Sequence, residues 1–469
     1  IAADPLIWRD DQNKEYSPGL SRSEDFNYLF MMVWYSTNEE NSLYYMDLNQ
    51  RDGFHPMVDN FESTNYPAMI DTIAYIMTTD GAPNRKIMFT NIKTPEQENW
   101  SELIPESEDL LESFAIINRH LVLQYLHNAY HEIKIYTLGG RYLKTVELPT
   151  LGTVSEMQGT WDKPELFFKF QSFNYPRTNF RYDFDSGELA VIEKIEIDVN
   201  PDDYESSQVW YASKDGTQIP MFVVHKKGLS LDGNNPTLLY GYGGFFASQT
   251  PWFSGTYSYL LEKGIVLAVP NLRGGGEFGE EWHRGGMLEK KQNVFDDFIA
   301  AAEWLIDNKY TNPEKLAIRG GSNGGLLVGA VMVQRPDLFK VVMCGVPLLD
   351  MIRYHQFLIA RFWIPEYGSS EDPEQFKYIY KYSPYHNIKQ GVSYPATLLT
   401  AGESDGRVHP LHARKMAAAL QAANSGDNPI LILVERRAGH GQGKPTSMAL
   451  EESADEWTFL FWQLGMLDK

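Results

Sequence analysis

The chain has 469 residues, a formal net charge of −21 and 43 % hydrophobic residues. That length exceeds what one hydrophobic core usually supports, so two domains are expected, and the apolar content is ample for both. The acidic balance, with no run of five Lys or Arg to offset it, argues against nucleic acid and anionic membrane surfaces as partners.

No apolar stretch nears the roughly twenty residues of a bilayer span, and no secretory apolar region opens the chain. The single cysteine, Cys344, rules out an internal disulfide and fits a reducing compartment. In "KVVMCGVP" it reads as a buried strand residue. The expected compartment is the cytoplasm, with the periplasm as the alternative because the native start is not visible.

The first 200 residues repeat. "SLYYMDL" (42–48), "KIMFTNI" (86–92), "EIKIYTL" (132–138) and "NFRYDFD" (179–185) are short alternating strands. Each follows another strand candidate: "YLFMMVW", "TIAYIMTT", "HLVLQYL" or "ELFFKFQSF". The interval of about 45 residues is that of propeller blades, small antiparallel sheets that cannot bury both faces alone. Four blades are expected over residues 1–204, and the first begins so near residue 1 that further N-terminal blades are expected to be missing from this chain.

Beyond residue 205 strands alternate with helices. "PTLLYGYGG", "GIVLAVPNLRGG", "KLAIRGGS", "VVMCGVP", "PATLLTAG" and "PILILVERRAGH" are apolar strand candidates, and "NVFDDFIAAAEWLIDNKY" is a long helical run between two of them. This alternation predicts a mostly parallel sheet covered on both faces over residues 205–469.

Within it, "IRGGSNGGLL" (318–327) packs four glycines around Ser322, after the strand "KLAI" and before the helical run "LLVGAVMVQRPDLF", closed by Pro336. Gly320, Ser322 and Gly324 satisfy G-x-S-x-G, the elbow whose small neighbours let a strained strand-to-helix turn expose a nucleophile. In α/β-hydrolases the acid and then the histidine follow on loops after later strands. "ESDGRVHP" after "PATLLTAG" offers Asp405, and the glycine-flanked "AGHGQGKP" after the last strand offers His440. Asp405 would fix the imidazole tautomer, and His440 would deprotonate Ser322. The backbone N–H of Asn323 would face the oxyanion, with a second donor in "YGYGGF".

Together "YGYGGF", "NLRGGGEFGEEWH", "GGSNGGLL", "DGRVHPLH" and "AGHGQGKPT" resemble the prolyl oligopeptidase family, and the similarity extends back through the four blades. The resemblance implies an α/β-hydrolase domain whose active site is covered by a seven-bladed propeller, hydrolysing short peptides on the carboxyl side of proline without a cofactor. It makes Ser322, Asp405 and His440 the triad and Tyr242 a phenolic oxyanion donor beside Asn323. It implies that Arg407 holds a substrate carbonyl. Trp363, Tyr367, Phe245, Ile359 and Val408 would form the proline pocket, where an indole face meets a flat apolar ring. The expected partners are proline-containing oligopeptides, and the expected state is a monomer.

Other readings carry less. A sister oligopeptidase cleaving after basic residues would need carboxylates in that pocket, one releasing dipeptides is a further alternative, and a silent binding scaffold would need no intact triad. "GGGEFG" (274–279) matches a dinucleotide fingerprint, with Asp296 and Asp297 some twenty positions on, but no continuous helix follows it. The histidine pairs 127/131 and 409/412 lack companions at metal-ligand spacing, so no metal is expected.

Overall fold

The computed structural model describes residues 6–50, 52–197, 199–441 and 443–467. It divides into two compact units. One takes in the chain as far as Ser172, with Pro176–Glu196 and Phe278–Glu281; the other comprises Phe173–Tyr175, Ile197–Glu277 and the chain from Trp282 onward. The division at Glu196/Ile197 lies a little ahead of the sequence-based boundary at 204/205, because Pro201–Asp203 forms a 3₁₀ turn that leads into the second unit's first strand.

Among the described residues the first unit contains four antiparallel sheets of four strands, each meandering in chain order. The sheets start at Tyr16, Asn65, Leu110 and Thr153 and end at Val58, Ile104, Val146 and Lys194. The second strands Ile73–Thr78 and His120–His127 are buried on both faces, while Glu165–Ser172 and the third strand Tyr130–Thr137 alternate. The reason is visible in the cores. Phe30, Met32 and Leu43 of the first sheet pack with Met69, Ala74 and Ile76 of the second. Ile70, Met77 and Ile87 of the second pack in turn with Leu111, Leu121 and Leu123 of the third. The first three sheets thus share apolar cores with their neighbours, which is the logic of propeller blades.

The second unit is built on one eight-stranded sheet. Its strands are β1 (Tyr204–Ala212), β2 (Gln218–Lys226), β3 (Thr237–Tyr240), β4 (Val266–Pro270), β5 (Leu316–Gly321), β6 (Val341–Gly345), β7 (Ala396–Gly402) and β8 (Ile430–Glu435), in the order β1-β2-β4-β3-β5-β6-β7-β8. β2 runs antiparallel to both neighbours, and every other pair is parallel. Strands β4 and β7 are buried along their whole length. Helix Gln292–Asp307 and helix Asn323–Gln334 cover one part of the sheet through Phe295, Phe298, Leu326 and Val331, packed against Leu239, Ile318 and Val342. Among the described residues no helix is long and apolar enough to cross a membrane.

Candidate active site

Ser322 occupies the turn between β5 and helix Asn323–Gln334, with φ 58° and ψ −116°. A non-glycine residue in such a conformation costs about 1–3 kcal/mol and persists only where its surroundings dictate it. Those surroundings are glycines in close approach. A Cβ on Gly320 would be driven into the Gly324 carbonyl, one on Gly324 would lie 2.6 Å from Gly241 O, and one on Gly325 would lie 2.6 Å from Pro347 Cβ. Gly321 has no such constraint, since its nearest neighbour would be 3.7 Å away.

The structure brings Ser322, His440 and Asp405 together. His440 Nε2 lies 3.0 Å from Ser322 Oγ, and its Nδ1 lies 2.6 Å from Asp405 Oδ2. The loops carrying the two partners are fastened to each other: Glu403 N donates to Glu435 O at 2.9 Å and Ser404 N to Ala438 O at 3.1 Å. The other Asp405 oxygen, Oδ1, accepts the backbone N–H groups of Arg407 at 2.8 Å and Val408 at 2.9 Å. Burial would raise the Asp405 pKa, but the hydrogen bonds from His440, Val408 and Arg407 outweigh it and hold the carboxyl below its ordinary range.

Asn323 begins the elbow helix, and its side chain is held at both ends. Its Nδ2 donates to Tyr242 O at 2.6 Å, and its Oδ1 accepts the Tyr367 hydroxyl at 2.8 Å. Tyr242 follows β3. Burial, with Tyr240 and Glu366 adding and the Arg407 guanidinium opposing, pushes its phenol up to about 12, so it remains a protonated donor at neutral pH. The Arg407 side chain is exposed.

The expected pocket residues divide. Phe245 is half-buried, Ile359 is 43 % exposed, and Trp363 and Val408 are buried, with Trp363 at 7 %. Tyr367 corrects the sequence-based expectation: it is fully buried in the core and presents no surface to a ligand. Its ring backs Phe245 edge-on, with centroids 5.5 Å apart, and its hydroxyl serves Asn323. It supports the site from behind.

Three buried ionisable residues next to these groups carry no signal in sequence spacing. Lys291 Nζ donates to Gly243 O at 2.9 Å and pairs with Glu366 Oε1 at 3.1 Å, while Glu366 Oε2 lies 2.8 Å from His283 Nε2. The rejected motifs have structural partners. His127 pairs with Asp109 and His131 with Glu112, His412 Nδ1 accepts the Asp350 N–H at 3.1 Å, and Gly274–Gly276 pack closely on Gly243, Glu277 and Phe246. Cys344 is buried in β6, its thiol donating to Gly325 O at 3.3 Å.

Stacked propeller blades joined to a sheet of this strand order, with a serine on the β5 elbow facing a histidine and a carboxylate from the β8 and β7 loops, define a two-unit protein of the α/β-hydrolase class. Comparisons with known proteins narrow the class. The model of the prolyl oligopeptidase family matches residues 251–467, and that of its N-terminal β-propeller domain matches residues 1–195. The chain is 41 % identical over 468 residues to the prolyl endopeptidase of Elizabethkingia meningoseptica, covering 99 % of this chain and 66 % of the relative. It is 38 % identical over 479 residues to the dual function macrocyclase-peptidase POPB of Galerina marginata, covering 99 % of this chain and 65 % of the relative. A solved structure from a study of two prolyl endopeptidases superposes with a TM-score of 0.94 at 43 % identity, over 99 % of this chain and 68 % of the other. Prolyl oligopeptidase B from Galerina marginata, bound to a 35mer hydrolysis and macrocyclization substrate, gives 0.94 at 36 % identity, over 99 % and 67 %. The chain belongs to the prolyl oligopeptidase family. It spans just under two thirds of the length of the curated relatives named here.

Proposed function

We propose that this chain carries the catalytic centre of a serine peptidase that cleaves oligopeptides on the carboxyl side of proline. The hydrogen-bonded series Asp405–His440–Ser322, at 2.6 and 3.0 Å, carries the reading. Ser322 Oγ attacks the scissile carbonyl while His440 Nε2 takes its proton, and Asp405 keeps the Nδ1–H tautomer and offsets the imidazolium. The oxyanion is met by the Asn323 N–H and the Tyr242 hydroxyl. His440 then protonates the leaving amine, and water resolves the acyl-enzyme by the same steps in reverse. Trp363, Phe245, Val408 and Ile359 supply the apolar wall that a pyrrolidine ring needs, and Arg407 is free to hold a substrate carbonyl. Cleavage after basic residues is disfavoured because Glu366, the carboxylate beside Trp363 and Tyr367, is already engaged by Lys291 and His283. The lone cysteine, buried and free of any disulfide requirement, supports a cytoplasmic setting.

The test is hydrolysis of a blocked Gly-Pro amide reporter by the full-length protein and its Ser322→Ala variant. The substitution should leave the unfolding transition in place and lower kcat by roughly four to six powers of ten. Retention of more than a tenth of the activity would remove Ser322 from the mechanism.

A further inference from the structure

Lys291 is 1 % exposed and Glu366 is 3 % exposed, yet they form an ion pair. Burial pulls the lysine pKa down against the pull of Glu366, while Lys291 and His283 keep the glutamate low against its own burial. A buried pair of this kind adds little net stability over an apolar pair of the same shape, because desolvation takes back most of the attraction. What it does supply is fixed geometry, so the question is which groups it holds.

Two branches leave the ammonium. Through Gly243 O it grips the residue directly after Tyr242. Gly243 has φ +63°, and a Cβ there would be driven into Val294 of the helix that Lys291 precedes, so this loop is pressed on that helix. Through Glu366 the ammonium fixes the residue directly before Tyr367, whose ring centroid lies 5.3 Å from Nζ and whose hydroxyl holds Asn323. The branches meet again at the 2.6 Å bond from Asn323 Nδ2 to Tyr242 O.

We infer that Lys291, with Glu366, is the positioning residue for both oxyanion donors of the proposed peptidase, the Tyr242 hydroxyl and the Asn323 amide. The inference rests on that reading of the site. One buried cation sets the loop on which the first donor stands and, by way of Tyr367, the helix start that bears the second. Neither residue touches the substrate. Their effect falls on the tetrahedral species, whose negative oxygen needs donors aimed at a point the planar carbonyl does not occupy. A residue that only shaped the pocket would act on substrate binding instead.

The experiment compares the full-length protein with Lys291→Met/Glu366→Gln, which removes both charges and leaves an amide to meet His283. Four quantities are read: kcat and KM for the blocked Gly-Pro amide, and the Kd values of a peptidyl-prolinal and of the matching alcohol. The aldehyde adds Ser322 Oγ across its carbonyl and puts an oxygen where the oxyanion would be; the alcohol cannot. We expect kcat to fall roughly ten- to a hundredfold, as for an angstrom-scale misplacement, and the aldehyde to weaken by a similar factor. KM and the alcohol should stay within about twofold.

An unchanged kcat and aldehyde Kd overturns the inference, and so does equal weakening of aldehyde and alcohol. If the double variant does not fold, Tyr367→Phe removes a single hydroxyl and tests the Asn323 branch, where kcat and aldehyde affinity both at wild-type values again overturn it. A wild-type protein that ignores the reporter, or a Ser322→Ala variant that still turns it over, sinks the peptidase reading itself and the inference with it. Those outcomes appear before any Lys291 variant is made.

Discussion

Replacing Asp405 by asparagine exchanges one carboxylate oxygen for an NH₂ group, and the backbone decides which one. Oδ1 accepts N–H groups from both Arg407 and Val408. A reversed amide would set donors against donors there, leaving buried N–H groups unsatisfied at about 1–3 kcal/mol each. The asparagine oxygen therefore stays with the backbone, and its NH₂ faces His440 Nδ1 across the 2.6 Å contact. The imidazole must then offer a lone pair at Nδ1 and carry its proton on Nε2, pointing at Ser322 Oγ 3.0 Å away. Serine is left without a base. A wrong tautomer of this kind lowers kcat by about 10⁴, which is roughly 5–6 kcal/mol of activation free energy. KM for the Gly-Pro amide should move little. A variant keeping more than about a hundredth of wild-type kcat would refute the tautomer argument.

Stability gives an independent check on the same variant. Because the folded-state pKa of Asp405 is depressed, its contribution is present above the ordinary carboxyl range and is lost as pH falls through the lowered folded value. The gap in stability between wild type and Asp405→Asn should therefore narrow on acidification, as read by urea unfolding at several pH values.

Tyr242→Phe should lower kcat by about a hundredfold as an oxyanion donor is lost. Since the phenol titrates only at about 12, the pH profile should keep its shape at lower pH, and an alkaline limb that vanished in the variant well below that value would contradict the donor role. Trp363→Ala should cost about 3–5 kcal/mol of stability, as the side chain is almost wholly buried. It should also lower the Pro-to-Ala ratio of kcat/KM by roughly tenfold or more. An unchanged ratio in the folded variant would make Trp363 a core residue only. Gly320→Ala should destabilise by about 1–3 kcal/mol or more, because its methyl has nowhere to go but the Gly324 carbonyl. A wild-type denaturation midpoint would show that the elbow packs otherwise.

What could be read from sequence follows what leaves a period or a punctuation mark. Tyr130–Thr137 and Tyr175–Asp183 alternate because one face of each is more buried than the other. Tyr16–Arg22 leaves no such trace, since Pro18 and Gly19 interrupt it and neighbouring strand Tyr28–Tyr35 supplies the apolar surface. The β1–β2 hairpin is a different kind of miss, because its signal is present in the Asp215-Gly216 turn between two strand-forming runs. In the site, Ser322, Asp405 and His440 announce themselves through glycines and strand ends. Lys291 and Glu366 do not, being single charges whose importance lies in burial, which only tertiary packing creates. Tyr367 shows the same limit from the other side. The family resemblance implies a pocket wall, but a hydroxyl bond to Asn323 turns it inward.

The strand that leads to His440, the proposed base, is the last of its sheet. Among the described residues β8 pairs with β7 alone, its Leu431 is 41 % exposed, and the loop bearing His440 follows it directly. Sheet margins open at lower free energy than the interior, in small excursions that leave the rest of a domain folded. Detachment at this margin would carry off the proton acceptor and leave serine, acid and elbow in place. If the proposed mechanism holds, heat should inactivate the protein first through local fraying there, with most of the sheet still protected from solvent exchange. Fastening β8, or the 403–404 to 435–438 contacts that hold its loop, should then lengthen the lifetime of the proposed activity.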